Sequence, residues 1–140
     1  MSSELRELSR DECLRHLRES RIGRVAVTHR ALPAIVPVNY VVDHGIVFRT
    51  RADGMLDRAC RGQVVAFEVD AMAEDGSSGW SVMVVGVANG LDGSERLRAL
   101  NSGLVSARGD VMDRFVRLTM TEISGREIPA PHVALTRVTG

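Results

Sequence analysis

The sequence predicts a mainly β fold, a closed or half-closed antiparallel barrel with short helices, and three observations support this prediction. Roughly six or seven short segments rich in β-branched residues follow one another at hairpin spacing. The helical segments between them are few and short, whereas a parallel sheet needs a long crossover helix between most strands. A length of 140 residues, 44% hydrophobic and 26% charged, suits one globular domain with one core.

The first predicted element is a helix over residues 10–20. Ser9 and Glu12 have the spacing of a capping box, in which each side chain bonds the backbone amide of the other residue. Three apolar residues at helical spacing form a narrow stripe that faces a core, and they are Cys13, Leu14 and Leu17.

Alternation typical of strands begins after this helix. The predicted strands cover residues 22–28, 34–42, 46–51, 64–69, 80–88 and 115–123, with a seventh at 133–138. Asp43, His44 and Gly45 have the composition of a tight hairpin loop. Pro33 and Pro37 lie on one face of the second strand and lack an amide hydrogen. This strand should therefore be an edge strand, bulged, or paired on one side only.

Two further helices are predicted between the strands. The second helix covers residues 53–61 with Asp53 as its N-cap. Its inward residues are Leu56, Ala59 and Cys60. The third begins with the capping-box spacing of Asp92 and Glu95 and runs to about residue 101, before Gly103. Its inward residues are Leu97 and Leu100.

Composition excludes several classes of function. Eighteen basic and eighteen acidic residues balance, so charge predicts neither a nucleic-acid nor a membrane partner. All eighteen basic residues are arginine, which excludes a lysine nucleophile, a lysine Schiff base and a Walker-type phosphate loop. A bound anion would need guanidinium groups or backbone amides. The charged start and the lack of an apolar run of roughly 20 residues predict a cytoplasmic protein.

The chain is predicted to be one domain over residues 1–140, because it has no repeat or linker. The helix at 10–20 precedes a barrel over about 22–128 and a tail at 129–140. The four histidines and two cysteines lack the spacing of metal ligands, so no metal site is expected. Cys13 and Cys60 are expected to pack in the core.

The candidate anion site is the end of the third predicted strand. Arg49, Thr50 and Arg51 stand just before a helix N-terminus, where free backbone amides and guanidinium groups could hold a phosphate. The alternative is a solvated strand end whose arginines pair with Asp53 and Asp57.

The sequence leaves the roles of two other residues open. Trp80, the only tryptophan, could stack on a planar ligand or plug the end of the barrel. Asn39 shares a strand face with Pro37, where a missing amide hydrogen leaves a backbone edge that a ligand could use.

Several runs, in this order and spacing, resemble the pyridoxamine 5′-phosphate oxidase-like FMN-binding split-barrel family, and most closely its small bacterial branch. The runs are GRVA at 23–26, LPAIVPVNYVV at 32–42, VFRT at 47–50, VAFEVD at 65–70, GWSV at 79–82 and ISGR at 123–126. The main match covers roughly residues 8–90, and the run at 123–126 is similar to the family's closing motif.

The resemblance implies a six-stranded split barrel that forms a homodimer, with FMN or a deazaflavin in two grooves between the subunits. It places Arg49 and Thr50 on the cofactor phosphate and Val38 and Asn39 along the ring or ribityl chain. Trp80 would pack against the flavin bound mainly by the neighbouring subunit. A flavin-dependent oxidoreductase is then the implied activity, since the cofactor supplies the redox chemistry.

The chain departs from the family pattern at two positions of the phosphate motif. Leu56 matches, but Met55 stands where many members have lysine, and Asp53 stands at the turn glycine. Arg51, or Arg126 of the partner subunit, could replace the missing cation. Two functions therefore stay open: a flavin-binding oxidoreductase-like homodimer, or a non-catalytic relative that binds another small ligand or none.

Overall fold

The structure is a computed structural model that describes residues 5–104 and 113–130. Within these ranges the chain forms eight strands and three helices. In chain order they are β1 (Arg6–Glu7), α1 (Arg10–Glu19), β2 (Ile22–His29), β3 (Leu32–Val42), β4 (Ile46–Arg51), α2 (Met55–Cys60), β5 (Val64–Met72), β6 (Gly79–Gly90), α3 (Gly93–Leu100), β7 (Asp113–Leu118) and β8 (Glu122–Ile128).

Six of these strands close an antiparallel barrel in the order β6–β5–β2–β3–β4–β7. The barrel closes because β7 pairs with both β4 and the end of β6. The remaining two strands extend the sheet outside the barrel, where β8 pairs with β6 and β1 pairs with β8. The predicted mainly β, six-stranded antiparallel barrel is confirmed.

The core fills the barrel because alternate residues of each strand point inward. Phe48, Phe67 and Leu118 are among its fully buried side chains. Helix α1 covers one end of the barrel with Cys13 and Leu17, both buried. The expected capping box of α1 and the core positions of both cysteines are confirmed.

Strand β3 is paired on both sides only near its C-terminal end. It pairs with β2 from Leu32 to Asn39, but with β4 only from Tyr40 to Val42. The amide of Tyr40 donates to the carbonyl of Arg21, so odd-numbered residues of β3 turn their backbone groups away from β2. Both prolines of β3 are odd-numbered, and their missing donors therefore lie on the side of β4. The prediction of a strand paired on one side only is confirmed for this stretch.

The second helix starts later than predicted. Its N-cap is Gly54, and α2 begins at Met55. Asp53 is not the N-cap, because it lies in the preceding turn with a φ of 60° and its carboxylate bonds Arg61. The predicted inward residues of α2 (Leu56, Ala59 and Cys60) are buried.

The inward face of the third helix was predicted wrongly. Leu97 and Leu100 are 62% and 43% exposed, and Ala99 is the buried residue of α3. The helix packs through this small side chain against a cluster outside the barrel that contains Leu91 and Phe115. Asp92 is the N-cap residue, but its side chain makes no cap bond, and Glu95 instead accepts a hydrogen bond from Arg117.

The single strand predicted over residues 115–123 is two strands, β7 and β8. Between them the backbone of Thr119 passes close to Gly86 of β6, where a Cβ would lie 1.7 Å from the carbonyl oxygen of Thr119. Glycine at this position leaves room for the close approach of the two backbones. The strand predicted at 133–138 lies outside the described residues.

Leu17→Ala should lower the free energy of unfolding by about 2–5 kcal/mol, because it leaves a cavity where a fully buried side chain was. Leu97→Ala is the matched control and should change it by less than about 0.5 kcal/mol, since Leu97 is mostly exposed. Urea denaturation followed by circular dichroism measures both. Equal losses in the two variants would contradict the burial seen for α1 and α3.

Candidate functional site

The barrel splits where β3 and β4 stop pairing, and a cleft adjoins this point at Asn39 and Tyr40. Among the described strands, the last pair of this ladder is Tyr40 with Phe48, so one further step would set Asn39 opposite Arg49. The cleft has a volume of about 670 Å³. Its lining comes from the end of α1, from β3 and from the segment after α3: Leu17, Arg18, Ser20, Arg21, Asn39, Tyr40, Val41, Val42, Ser102, Gly103 and Leu104.

Tyr40 anchors the floor of the cleft. Its ring is buried edge-on against Phe67, and its hydroxyl donates a 2.6 Å hydrogen bond to the carbonyl of Leu17. Burial raises the pKa of Tyr40 to about 12, because the phenolate would lose its hydration. This bond ties α1 to β3, and Tyr40 stays neutral at physiological pH.

Polar groups surround this floor. Asn39 is exposed on β3, and Ser102 follows α3. Arg18 and Arg21 are exposed at the end of α1 and bring two guanidinium groups to the cleft lining. The cleft therefore combines an apolar floor with a polar, positively charged edge, a combination typical of small-molecule sites.

Arg49 fixes one wall of this cleft. Its Nη1 donates a 3.0 Å hydrogen bond to the carbonyl of Leu104, and its Nε donates to the carboxylate of Asp113. The guanidinium also lies over the ring of Phe115, 5.1 Å from the centroid. These contacts hold the segment after α3 against β4 and occupy two of the three nitrogens of Arg49.

Thr50 and Arg51 complete the strand end. Thr50 is half-buried, whereas Arg51 is exposed and its side chain bonds no residue in the part of the chain that the structure describes. Asp53 and Asp57 bond Arg61 and do not neutralise the strand-end arginines. The alternative expectation, that Arg49 and Arg51 pair with these two acids, is wrong.

Asp57 is a buried carboxylate whose surroundings the sequence reasoning missed. It accepts hydrogen bonds from the amide of Asp53 at 2.8 Å and from Arg61 at 3.0 Å. The Nε of Arg114 lies 3.1 Å from its other oxygen. The spacing of Asp57 and Arg61, four residues apart on one helix, was the available signal. The contacts attach α2 to the turn before it and to β7.

Besides Asn39, three of the predicted site residues lie on β3 or α2. Val38 points into the barrel core and Leu56 is buried on α2. Met55 is exposed at the first position of α2. Of these three, only Met55 presents its side chain to solvent near the strand end.

Asn39 is the one predicted site residue in the cleft lining, and the other eight, including Trp80 and Arg126, are not part of it. Trp80 on β6 stacks on His16 of α1, with ring centroids 3.8 Å apart and an angle of 19° between the planes. Burial lowers the pKa of His16, because the imidazolium would lose hydration beneath the indole. Arg126 is exposed on β8, opposite Ser81. Within one chain, His16 covers one face of the indole.

The helices of residues 5–104 and 113–130 include none that combines the length and apolar character needed to cross a bilayer. In the same ranges, no group of three or more His, Cys, Asp or Glu side chains gathers as metal ligands would. Burial raises the pKa of the Cys60 thiol to about 11, so this cysteine is protonated at neutral pH.

Fold and cleft together define a small antiparallel-barrel protein with a ligand-sized site at the split. Comparison with known families gives a match to the family described as pyridoxamine 5′-phosphate oxidase, over residues 9–127. The chain belongs to this family.

Similar proteins come from Mycobacterium and Corynebacterium species, among others. The uncharacterized protein Rv0080 of Mycobacterium tuberculosis is 37% identical over 133 residues, which cover 91% of this chain and 88% of that protein. A solved structure of an FAD-binding protein from Mycobacterium smegmatis has a TM-score of 0.73 and 31% identity, over 87% of this chain and 96% of that one. A putative pyridoxamine 5′-phosphate oxidase from Corynebacterium glutamicum has a TM-score of 0.75 and 27% identity, over 94% and 99%.

Tyr40 should titrate near pH 12 in the folded protein, and phenolate absorbance reports it cleanly because Tyr40 is the only tyrosine. The folded state holds this proton more tightly than the unfolded state, whose tyrosine titrates near 10. The contribution of Tyr40 to stability is therefore constant below about pH 10 and falls as the pH rises from 10 to 12. In urea the midpoint should return to about 10. A midpoint near 10 without urea would contradict the buried hydroxyl.

Proposed function

We propose that this chain is a flavin-binding, oxidoreductase-type protein that acts as a homodimer, with the flavin held in the cleft at the split. The observation that carries the proposal is the cleft itself. Its volume of about 670 Å³ lies within the roughly 300–1,000 Å³ of small-molecule sites, and its apolar floor and cationic edge suit a ring joined to a phosphate. The similarity to the FAD-binding protein of M. smegmatis supports a flavin as the ligand.

The chain's own residues fit such a ligand in distinct ways. Asn39 on β3 would hydrogen-bond the ring or ribityl chain, and Val38 would support it from the core beneath. Thr50 and Arg51 would bind the phosphate, since the guanidinium of Arg51 is exposed at the strand end. Arg49 would orient the site by holding Leu104, with its third nitrogen toward the phosphate. A bound flavin supplies hydride or single-electron transfer, and the protein supplies position and shielding from water.

FMN is the proposed cofactor, with FAD and a deazaflavin as the alternatives. Arg18 and Arg21 carry further positive charge at the cleft, which suits the second phosphate of FAD. Titrating the purified chain with each flavin, and following flavin fluorescence, distinguishes the three. Failure of all three to bind at millimolar concentration would refute the flavin site.

Asp53 departs from the family pattern, but it should weaken phosphate binding less than its negative charge suggests. Its φ of 60° is a backbone conformation that glycine adopts readily, and its carboxylate is paired with Arg61 at 2.7 Å. This hydrogen bond lowers the pKa of Asp53. Met55 is the larger departure, because an exposed thioether gives no charge to a phosphate.

The homodimer is proposed to form through the outer face, which is a patch of the barrel exterior. The outer face is formed by Arg24, Ala26, Ile35, Ala66, Glu68, Asp70 and Met83 around a shallow cavity of about 360 Å³. Ile35 and Met83 are 70% and 46% exposed there. Ile35, Ala26 and Ala66 stand in register across three strands. A second copy would remove this apolar row from water.

A second candidate function is a non-catalytic relative that binds another planar ligand or none. The contacts of Arg49 with Asp113 and Leu104 favour it, because they engage the arginine that the family pattern assigns to the phosphate. The flavin titrations separate the two candidates.

Arg51→Ala should weaken FMN binding by about 10-fold or more while leaving riboflavin binding unchanged. Riboflavin lacks the phosphate, and a charge-assisted hydrogen bond is worth about 1.5–3 kcal/mol. Arg15→Ala, which removes an exposed arginine from α1, is the matched control. Fluorescence titration measures the six dissociation constants of the wild type and the two variants for the two flavins. Equal weakening of both flavins would show that Arg51 does not contact the phosphate.

Met55→Lys combined with Asp53→Gly should tighten FMN binding by about 10- to 100-fold, because it adds a cation and removes an anion beside the proposed phosphate position. Met72→Lys adds the same charge at another exposed methionine and should leave the dissociation constant unchanged. An unaltered FMN affinity in the double variant would place the phosphate elsewhere.

A further inference from the structure

The outer face carries an unbalanced cluster of charges. Nη1 of Arg24 contacts both Oε1 of Glu68 at 3.2 Å and Oδ2 of Asp70 at 3.3 Å. Glu68 and Asp70 are two residues apart on β5, so their side chains leave the strand on the same side. One guanidinium therefore serves two carboxylates, and the fully ionised cluster has a net charge of −1.

The groups that face Glu68 from the neighbouring strands compensate little of this charge. Strand β2 contributes Arg24, and β6 contributes the apolar Met83 directly opposite. Strand β3, beyond Arg24, contributes Pro37. Strand β8, beyond Met83, contributes Ser124, which is flanked on the same side by Glu122 and Arg126, one of each sign. Within the described strands, the cluster lies between apolar side chains with Arg24 as its one close cation.

The carboxyl of Glu68 gains a proton more readily than an ordinary glutamate does. Desolvation and the neighbouring Asp70 raise the pKa of Glu68 to about 7, against the opposing effect of Arg24. The carboxyl of Glu68 is therefore about half protonated at pH 7, whereas an ordinary glutamate is ionised there.

We propose that two copies of this chain associate through the outer face and that each copy takes up a proton at the Glu68–Asp70 pair as the face closes. The inference rests on the proposed homodimer and adds a regulation to it. Closing the face removes water from two carboxylates that share one guanidinium, and an unpaired buried charge is costly. A proton held between the carboxylates makes the cluster neutral.

A second copy fits this face better than a partner of another kind. The patch carries both signs of charge beside an apolar row. A two-fold axis through it would set the guanidinium of one copy near the carboxylates of the other, and would pack the two apolar rows against each other. A strongly basic partner would be repelled by Arg24, which lies within the patch. Charge and shape are therefore self-complementary.

The direction of the pH dependence follows from the uptake of protons. A dimer that binds two more protons than its separated subunits dissociates more readily as the pH rises. With the carboxyl of Glu68 half protonated near pH 7 in the monomer and fully protonated in the dimer, the dissociation constant should rise about 100-fold from pH 6 to pH 8.

Sedimentation velocity of the full chain at pH 6 and pH 8, at fixed ionic strength, tests this. Wild type should show the 100-fold rise, and Glu68→Gln should bind equally tightly at both pH values, because a neutral amide needs no proton. Asp75→Asn, which changes the same charge in a loop where the carboxylate bonds only Ser77, should behave as wild type. The histidines are the same in all three proteins, so the difference isolates Glu68.

Each contrary result removes a defined part of the proposal. A wild-type dimer with the same dissociation constant at pH 6 and 8, or a full pH dependence retained in Glu68→Gln, would overturn the proton uptake alone. A dimer unaffected by Ala26→Arg, with circular dichroism unchanged, would overturn the outer face as the interface. A monomer at every pH and concentration would overturn the proposed homodimer itself.

Discussion

Two missing amide hydrogens on one edge of β3 are the constraint on which the site depends. Pro33 and Pro37 both turn this edge toward β4, so a ladder between the two strands would lack donors there. The strands pair only from Tyr40 onward, and the barrel opens beside that point. Asn39, which lines the cleft, and the strand end at Arg51 both border this opening. A strand that was paired on both sides throughout would leave no room for a ligand between them.

The polar contacts around the opening serve the architecture first and a ligand second. Arg49 donates hydrogen bonds to Asp113 and to the carbonyl of Leu104, and the hydroxyl of Tyr40 donates one to the carbonyl of Leu17 in α1. Such pre-formed walls keep a binding site in one shape before the ligand arrives, which lowers the entropy that binding must overcome. Arg49, which the sequence suggests as a phosphate ligand, therefore also holds Leu104 in the cleft wall that the ligand would contact.

Local periodicity was enough to predict most of the fold, and tertiary contacts explain the failures. The strands with strict alternation and the capping box of α1 were found from the sequence, because both depend on neighbours along the chain. Leu97 and Leu100 were misplaced because α3 covers a small cluster through Ala99, a choice that only packing reveals. The close approach of Thr119 to Gly86 and the contact of Arg114 with Asp57 join residues far apart in the sequence. Site residues were located on their strands, but their bonding partners were not predictable.

The stack of His16 on Trp80 has a consequence for watching this protein in solution. All indole emission comes from one ring, since the chain has a single tryptophan, and that ring touches an imidazole carried by the first helix. Partial detachment of this helix would separate the two rings while the barrel stayed intact. Emission intensity and wavelength would then register local opening at the amino-terminal side ahead of cooperative unfolding. The protein thus contains its own optical probe of how firmly that helix is seated.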